Sequence, residues 1–226
     1  MLIALALERQ VSAADLIQMA GAAAVEASGG PRIELRYGRR QADDGEHCSS
    51  EESSKRAATA APPFPDGVAS AAAHLRALFS RMGFSDAETV ALMGAHTLGR
   101  AHRSRSGHGA TQTPYTKDCV AARPRGGSSW TRSWETFDNS YFRELAAHKH
   151  DAHLLKLPTD LALIEDPVFR GHVTRFADDQ DVFFAEYAAA HVRMSEAGAL
   201  FQPSSGIFVN LERSLPICAR SDGETV

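Results

Sequence analysis

The chain is poor in the features that mark several protein classes. It has only three cysteines, Cys48, Cys119 and Cys218, and no Cys-x-x-Cys or His-x-x-x-His pair. An odd, widely spaced set excludes a disulfide framework and points to a reducing compartment. Cys48 lies in a polar stretch and reads as an ordinary exposed thiol. No apolar run approaches the roughly 20 residues needed to cross a bilayer, so the expectation is a soluble chain. A net charge of -4 provides no global attraction to nucleic acid or to an anionic membrane surface. Alternating strand patterns are scarce, which leaves an all-α class with long connections. Residues 1–10 are apolar but too short, and lack the basic leader of a signal or transit peptide. They read as the interior of a protein.

What is present is helical punctuation. With 43% hydrophobic residues, the 226-residue chain can bury one large core or two small lobes. Ser12 caps a helix that Gly29-Gly30-Pro31 ends, and its apolar circumference predicts deep burial. Residues 41–66, rich in Asp, Glu, Ser, Ala and Pro, predict a flexible loop with solvated charges, and 209–226 an irregular tail. A helix is expected from about Val68 to Met82. Ser85 and Glu88 then form a capping box opening a helix to about Leu98. Residues 103–133 read as irregular. Helices follow near 142–147, 160–164, 167–176 with Asp166 as cap, and 181–197.

The most informative stretch is Gly94-Ala95-His96-Thr97-Leu98-Gly99-Arg100-Ala101-His102. It sets a histidine among residues with little side-chain bulk, room for something flat and large. Three readings stand for His96 on its own residues. It can be a buried, hydrogen-bonded histidine, a zinc ligand, or an axial ligand of haem iron. Zinc is disfavoured because His102, six residues on, points to another side of a helix.

Five separated words choose among these readings. They are the run at His96, Arg105-Ser106-Gly107, Phe137-Asp138-Asn139-Ser140-Tyr141-Phe142, Leu157-Pro158-Thr159-Asp160 and Phe183-Phe184-Ala185-Glu186-Tyr187-Ala188. In this order they closely resemble ascorbate peroxidases, which are class I haem peroxidases. The resemblance runs from about Ser12 to about Phe208. The length of the stretch from Gly107 to Ser129, including Tyr115-Thr116-Lys117-Asp118, is similar to the chloroplast branch and implies the chloroplast stroma.

The resemblance implies one incomplete haem peroxidase domain over 1–226, a helical fold formed mainly by its proximal lobe. It implies haem b as cofactor, with His96 as iron ligand, Asp160 bonded to that histidine, and Trp130 against the imidazole. Trp134 is left to packing. His102 would lie near a haem propionate, and Arg105 would bind ascorbate, the donor for reducing hydrogen peroxide. Thr97, Thr131 and Asp138 match positions that hold potassium, although Ser133 stands where cytosolic members have an asparagine. The Arg-x-x-Trp-His sequence that cleaves peroxide in this family does not occur in the chain. A non-catalytic relative that binds haem weakly, or only other proteins, is therefore the alternative.

Overall fold

The computed structural model describes residues 11–40, 67–68, 70–117, 126–147 and 150–208. The three cysteines, the 41–66 loop, the 209–226 tail and the 1–10 segment lie outside the described residues. Helices dominate, and the strands are two-residue pairs. The elements are α1 (Ala13–Ala27), β1 (Arg36–Tyr37), α2 (Ala71–Ser80), α3 (Asp86–Met93), a 3-10 turn (Gly94–Thr97), β2 (Arg100–Ala101), α4 (Arg103–Ser106), β3 (Ser128–Ser129), α5 (Ser140–Ala146), α6 (Pro158–Glu165), α7 (Pro167–Asp178), α8 (Gln180–Glu196) and β4 (Ile207–Phe208). β1 pairs antiparallel with β4, and β2 with β3. Within the described residues, no helix is long and apolar enough to cross a membrane.

Local chemistry sets the helix starts. Ser12 accepts the Asp15 amide, and Ser85 and Glu88 form the reciprocal capping box at α3. Asp166 accepts the amides of Val168 and Phe169 to open α7. The region 103–133, expected to be irregular, holds α4 and β3. Ser128 and Ser129 pair with Arg100 and Ala101, so tertiary pairing organises a segment with no strand pattern of its own.

The core lies where α3, α5, α7 and α8 meet. Phe137, Phe142, Phe176 and Phe183 are buried there. Phe142 meets Phe183 edge-on at 4.9 Å, and Phe137 stacks on Phe183 at 5.6 Å. These rings explain Gly94. A Cβ at Gly94 would stand 2.5 Å from Phe183 and 2.9 Å from Phe142. Its small size serves the aromatic core rather than a flat ligand. Gly94→Ala is expected to destabilise the fold by about 1–3 kcal/mol through overpacking. A urea midpoint equal to the parent's would contradict this.

Two expectations are corrected. The helix carrying His96 does not run regularly to Leu98. It ends at Met93 and tightens into the 3-10 turn. Gly99 leaves that turn with φ +83°, its amide bonded to the Trp134 carbonyl. That tie draws the exit away from the helical path. The second correction concerns α1, which is not deeply buried. Asp15, Ala22 and Val25 form its buried stripe, while Ile17 is 60% exposed. Composition around a helix does not show which side finds a neighbour, and here the described chain covers one stripe.

Arg76 of α2 ties two helix starts together. Its guanidinium pairs with Asp86 of α3 at 2.8 Å and with Asp166 at 2.7 Å, and it lies over the Phe169 ring. The Arg76 bond, aided by the α7 amides, holds the Asp166 carboxyl down at about 2. An unfolded aspartate titrates near 3.9, so the folded state binds fewer protons between those values. The stability from Asp166 is therefore complete above about pH 4 and is lost as pH falls toward 2. Asp166→Asn keeps the cap and is expected to flatten this acid slope, costing about 1 kcal/mol at neutral pH for a pair partly open to solvent. Urea melts at pH 7 and pH 3 check it; parallel slopes in parent and variant would refute the assignment.

Candidate functional site

Four segments converge on one carboxylate. The 3-10 turn after α3 carries His96, the chain leaving β3 carries Trp130, α5 carries Tyr141, and the first turn of α6 carries Asp160. Asp160 is fully buried. Its Oδ1 accepts from His96 Nδ1 at 2.8 Å and from the Tyr141 hydroxyl at 2.7 Å. Its Oδ2 accepts from Trp130 Nε1 at 2.8 Å and from the Leu157 amide at 2.7 Å. The last bond is half of a capping box, because Leu157 has no side-chain acceptor to complete it. Asp160 thus acts both as a helix-start carboxylate and as the partner of His96.

Four donors explain its charge state. Burial alone would raise the Asp160 pKa, but the bond and charge of His96, with the Leu157 amide and Tyr141, outweigh it and hold the carboxyl below its usual range. Burial, then the facing Asp160 charge, pushes the Tyr141 hydroxyl well above its ordinary value, so it stays a donor. An ionised carboxylate accepts only, which places a proton on His96 Nδ1.

The imidazole is clamped. Trp130 stacks on it with centroids 4.3 Å apart and planes at 19°, and Tyr141 meets it edge-on at 5.6 Å. Its side chain is 29% exposed, and Nε2 has no partner among the described residues. Ala95 beside it is exposed and has only a methyl group to offer as an obstacle. The site therefore offers an oriented imidazole nitrogen on an accessible face.

The other expected residues lie around this centre. Thr97 and Thr131 are buried. Thr97 donates its hydroxyl to Asp138 at 3.1 Å, and Thr131 donates to the Thr97 carbonyl at 3.0 Å. These three residues are brought together. His102 and Arg105 are not in contact with the cluster. The His102 carbonyl accepts the amides of Arg105 and Ser106, and its ring sits near Gly127. Arg105, on α4, is exposed and has no ion pair among the described residues. Trp134 packs as expected, donating to the Tyr115 carbonyl beneath Arg100.

Sequence reading assigned Tyr141 no role. An aromatic residue in an apolar helix reads as core, and only the 19-residue separation from Asp160, closed by the fold, reveals its bond. Among the described residues, no group of three or more His, Cys, Asp or Glu side chains is arranged to hold a metal.

Comparison with known proteins shows the family. A family model described as Peroxidase matches residues 3–179. Probable L-ascorbate peroxidase 5, chloroplastic, of Oryza sativa subsp. japonica is 49% identical over 197 residues, covering 87% of this chain and 58% of the relative. L-ascorbate peroxidase T, chloroplastic, of Arabidopsis thaliana is 47% identical over 199 residues, covering 88% of this chain and 44% of the relative. Probable L-ascorbate peroxidase 3, peroxisomal, of Oryza sativa subsp. japonica is 42% identical over 200 residues, covering 88% and 57%. The chain spans about half the length of these curated relatives.

Proposed function

The chain belongs to the peroxidase family, and from that membership we propose that His96 is the axial ligand of haem b in the reduction of hydrogen peroxide by ascorbate. The observation that carries this reading is the buried Asp160. It spends both oxygens on four donors, and so fixes the His96 ring with its outer nitrogen free. Haem suits an exposed imidazole nitrogen flanked by the small Ala95, and an imidazole bonded to a carboxylate is a stronger donor to iron. The chloroplastic names of the relatives support a chloroplast location.

When bound, haem supplies the redox chemistry, passing electrons from ascorbate to peroxide. The chain's own residues orient and tune. Asp160 holds the proton on Nδ1, which keeps Nε2 available as the donor atom. Trp130 lies flat on the imidazole and limits its rotation. Arg105 offers a planar, permanently charged fork to the ascorbate anion at the surface, and His102 stands at the base of the same helix for a propionate. Thr97, Thr131 and Asp138 supply hard oxygens for potassium. In this structure those oxygens bond one another, so a cation has to replace those bonds.

A second reading is supported by one fact of the sequence: it contains no Arg-x-x-Trp-His. Acid–base assistance is worth about 10² to 10⁴ in rate and a preorganised charge-stabilising donor about 10² to 10³. Together their lack implies turnover slower by roughly 10⁴ to 10⁷ than in a relative that has them. The test is haem titration of the purified chain, followed by ascorbate oxidation with peroxide. A Soret band at one haem per chain, and a rate above that of free haemin, are expected. Arg105→Gln should raise KM for ascorbate with little change in kcat. A rate no higher than free haemin's overturns the enzymatic reading and leaves a haem-binding chain without turnover.

A further inference from the structure

A cavity of about 280 Å³ lies between the 109–113 loop and the 152–156 segment. Both walls are pinned to the same strand. The Ala110 amide donates to Ser128 Oγ at 2.8 Å, and the Leu155 amide donates to the Ser129 carbonyl at 2.8 Å. Gly109, at φ +79°, lets the loop press close, since a Cβ there would stand 2.8 Å from Ser128. The cavity is therefore held open by fixed backbone.

Its wall is rich in donors and includes the cation Lys156, which makes no ion pair at bonding distance among the described residues. Lys156 is half-buried, and its ammonium donates to the Glu144 main-chain carbonyl at 3.2 Å rather than to a carboxylate. The nearby carboxylates are engaged elsewhere. Arg132 pairs with Glu144 and Asp151, the Tyr115 hydroxyl donates to Asp151, and Asp160 already has its four donors. The Gln112 side chain and the amides of Gly109 and Gln112 have no hydrogen-bond partner among the described residues, and the His153 ring interacts with the Asp151 carboxylate through its charge alone.

We propose that this cavity binds a small oxyanion, a phosphate or carboxylate group held by Lys156 and His153. The volume suits a compact ligand, near the low end for small-molecule sites. A half-buried ammonium has lost water, and burial draws the Lys156 pKa down against the opposing charges of Glu144, Asp160 and Asp151, with only the Glu144 main-chain carbonyl accepting a hydrogen bond from it. An oxyanion in contact restores what the water supplied through short, charge-assisted hydrogen bonds. The site needs no haem, so it stands or falls separately from the reading of His96.

The test uses the 226-residue chain without haem, at fixed ionic strength. Lysine acetylation is followed residue by residue by mass spectrometry in inorganic phosphate, in malonate and in chloride. Phosphate or malonate is expected to slow modification of Lys156 and to leave exposed Lys117 unchanged. Protection by phosphate alone assigns a tetrahedral ligand, and protection by malonate a planar carboxylate. Lys156→Met and His153→Gln should each weaken phosphate binding, measured by calorimetry, by about tenfold for Lys156 and less for His153. The labelling experiment runs on the parent chain and so does not depend on a variant's folding. Equal protection in chloride, or equal protection of Lys156 and Lys117, overturns the proposal. Unchanged phosphate affinity in a folded Lys156→Met chain does the same.

Discussion

Asp160→Ala is expected to lower the melting temperature of the chain by about 6–20 °C, from a loss of about 3–5 kcal/mol at roughly 2–4 °C per kcal/mol for a domain of this size. The carboxylate is fully buried, and its removal strands four donors at once: His96 Nδ1, Trp130 Nε1, the Tyr141 hydroxyl and the Leu157 amide. A single unsatisfied buried donor costs about 1–3 kcal/mol. The four costs do not simply add, because His96 is partly exposed and can turn to water. Against a typical total of about 5–15 kcal/mol, the loss is still severe. Asp160→Asn retains one carbonyl oxygen but points an amide at two donors, and should fall between parent and alanine variant. Tyr141→Phe removes one donor and leaves three, so its cost should be about 1 kcal/mol. Thermal melts followed by circular dichroism decide the order. An alanine variant that melts with the parent would sink the view of Asp160 as the hub of this site.

His96→Ala should have the opposite profile, small in stability and large in haem binding. The imidazole is 29% exposed, and its loss leaves Asp160 with three of its four donors. The expected stability cost is about 1–2 kcal/mol, from one charge-assisted bond and the contact with Trp130. Haem affinity is expected to fall about a hundredfold or more, since loss of an outer partner of a metal-bound histidine already costs about 10- to 100-fold. Added imidazole should enter the space between Trp130 and Asp160 and restore part of the Soret band. A titration in which the variant and parent give the same band at the same haem concentration would remove His96 from the iron. On the proposed reading the two variants separate the roles, Asp160 serving the fold and the ring's orientation and His96 the ligand itself.

Some of this site was legible before any coordinates. His96 and Asp160 could be singled out because they lie inside short words, and Trp130 because of its spacing to Phe137-Asp138-Asn139. Tyr141 could not, since an aromatic residue beside Phe142 in an apolar helix satisfies the same pattern whether its hydroxyl is bonded or solvated. The α3 capping box was readable at Ser85 and Glu88, where partners are three residues apart. The end of that helix was not, because its tightening depends on Phe183 against Gly94 and on Trp134 against Gly99. The burial of α1 was misjudged for a related reason. An apolar circumference states what a helix tolerates, whereas Ile17 is exposed because the neighbours of α1 cover one stripe.

The amino-acid sequence by itself determined the helical class, the helix starts after Ser12, Ser85 and Asp166, and the family to which the words around His96 point. Each depends on residues within a few positions of one another, where capping geometry and helical periodicity act directly. Only the tertiary structure decided that Asp160 receives four donors, that Tyr141 is one of them, and that Lys156 lines a cavity beside His153. Those relations join residues up to 64 positions apart, and they exist because the packed aromatic core and the β2–β3 pairing bring distant segments to fixed places.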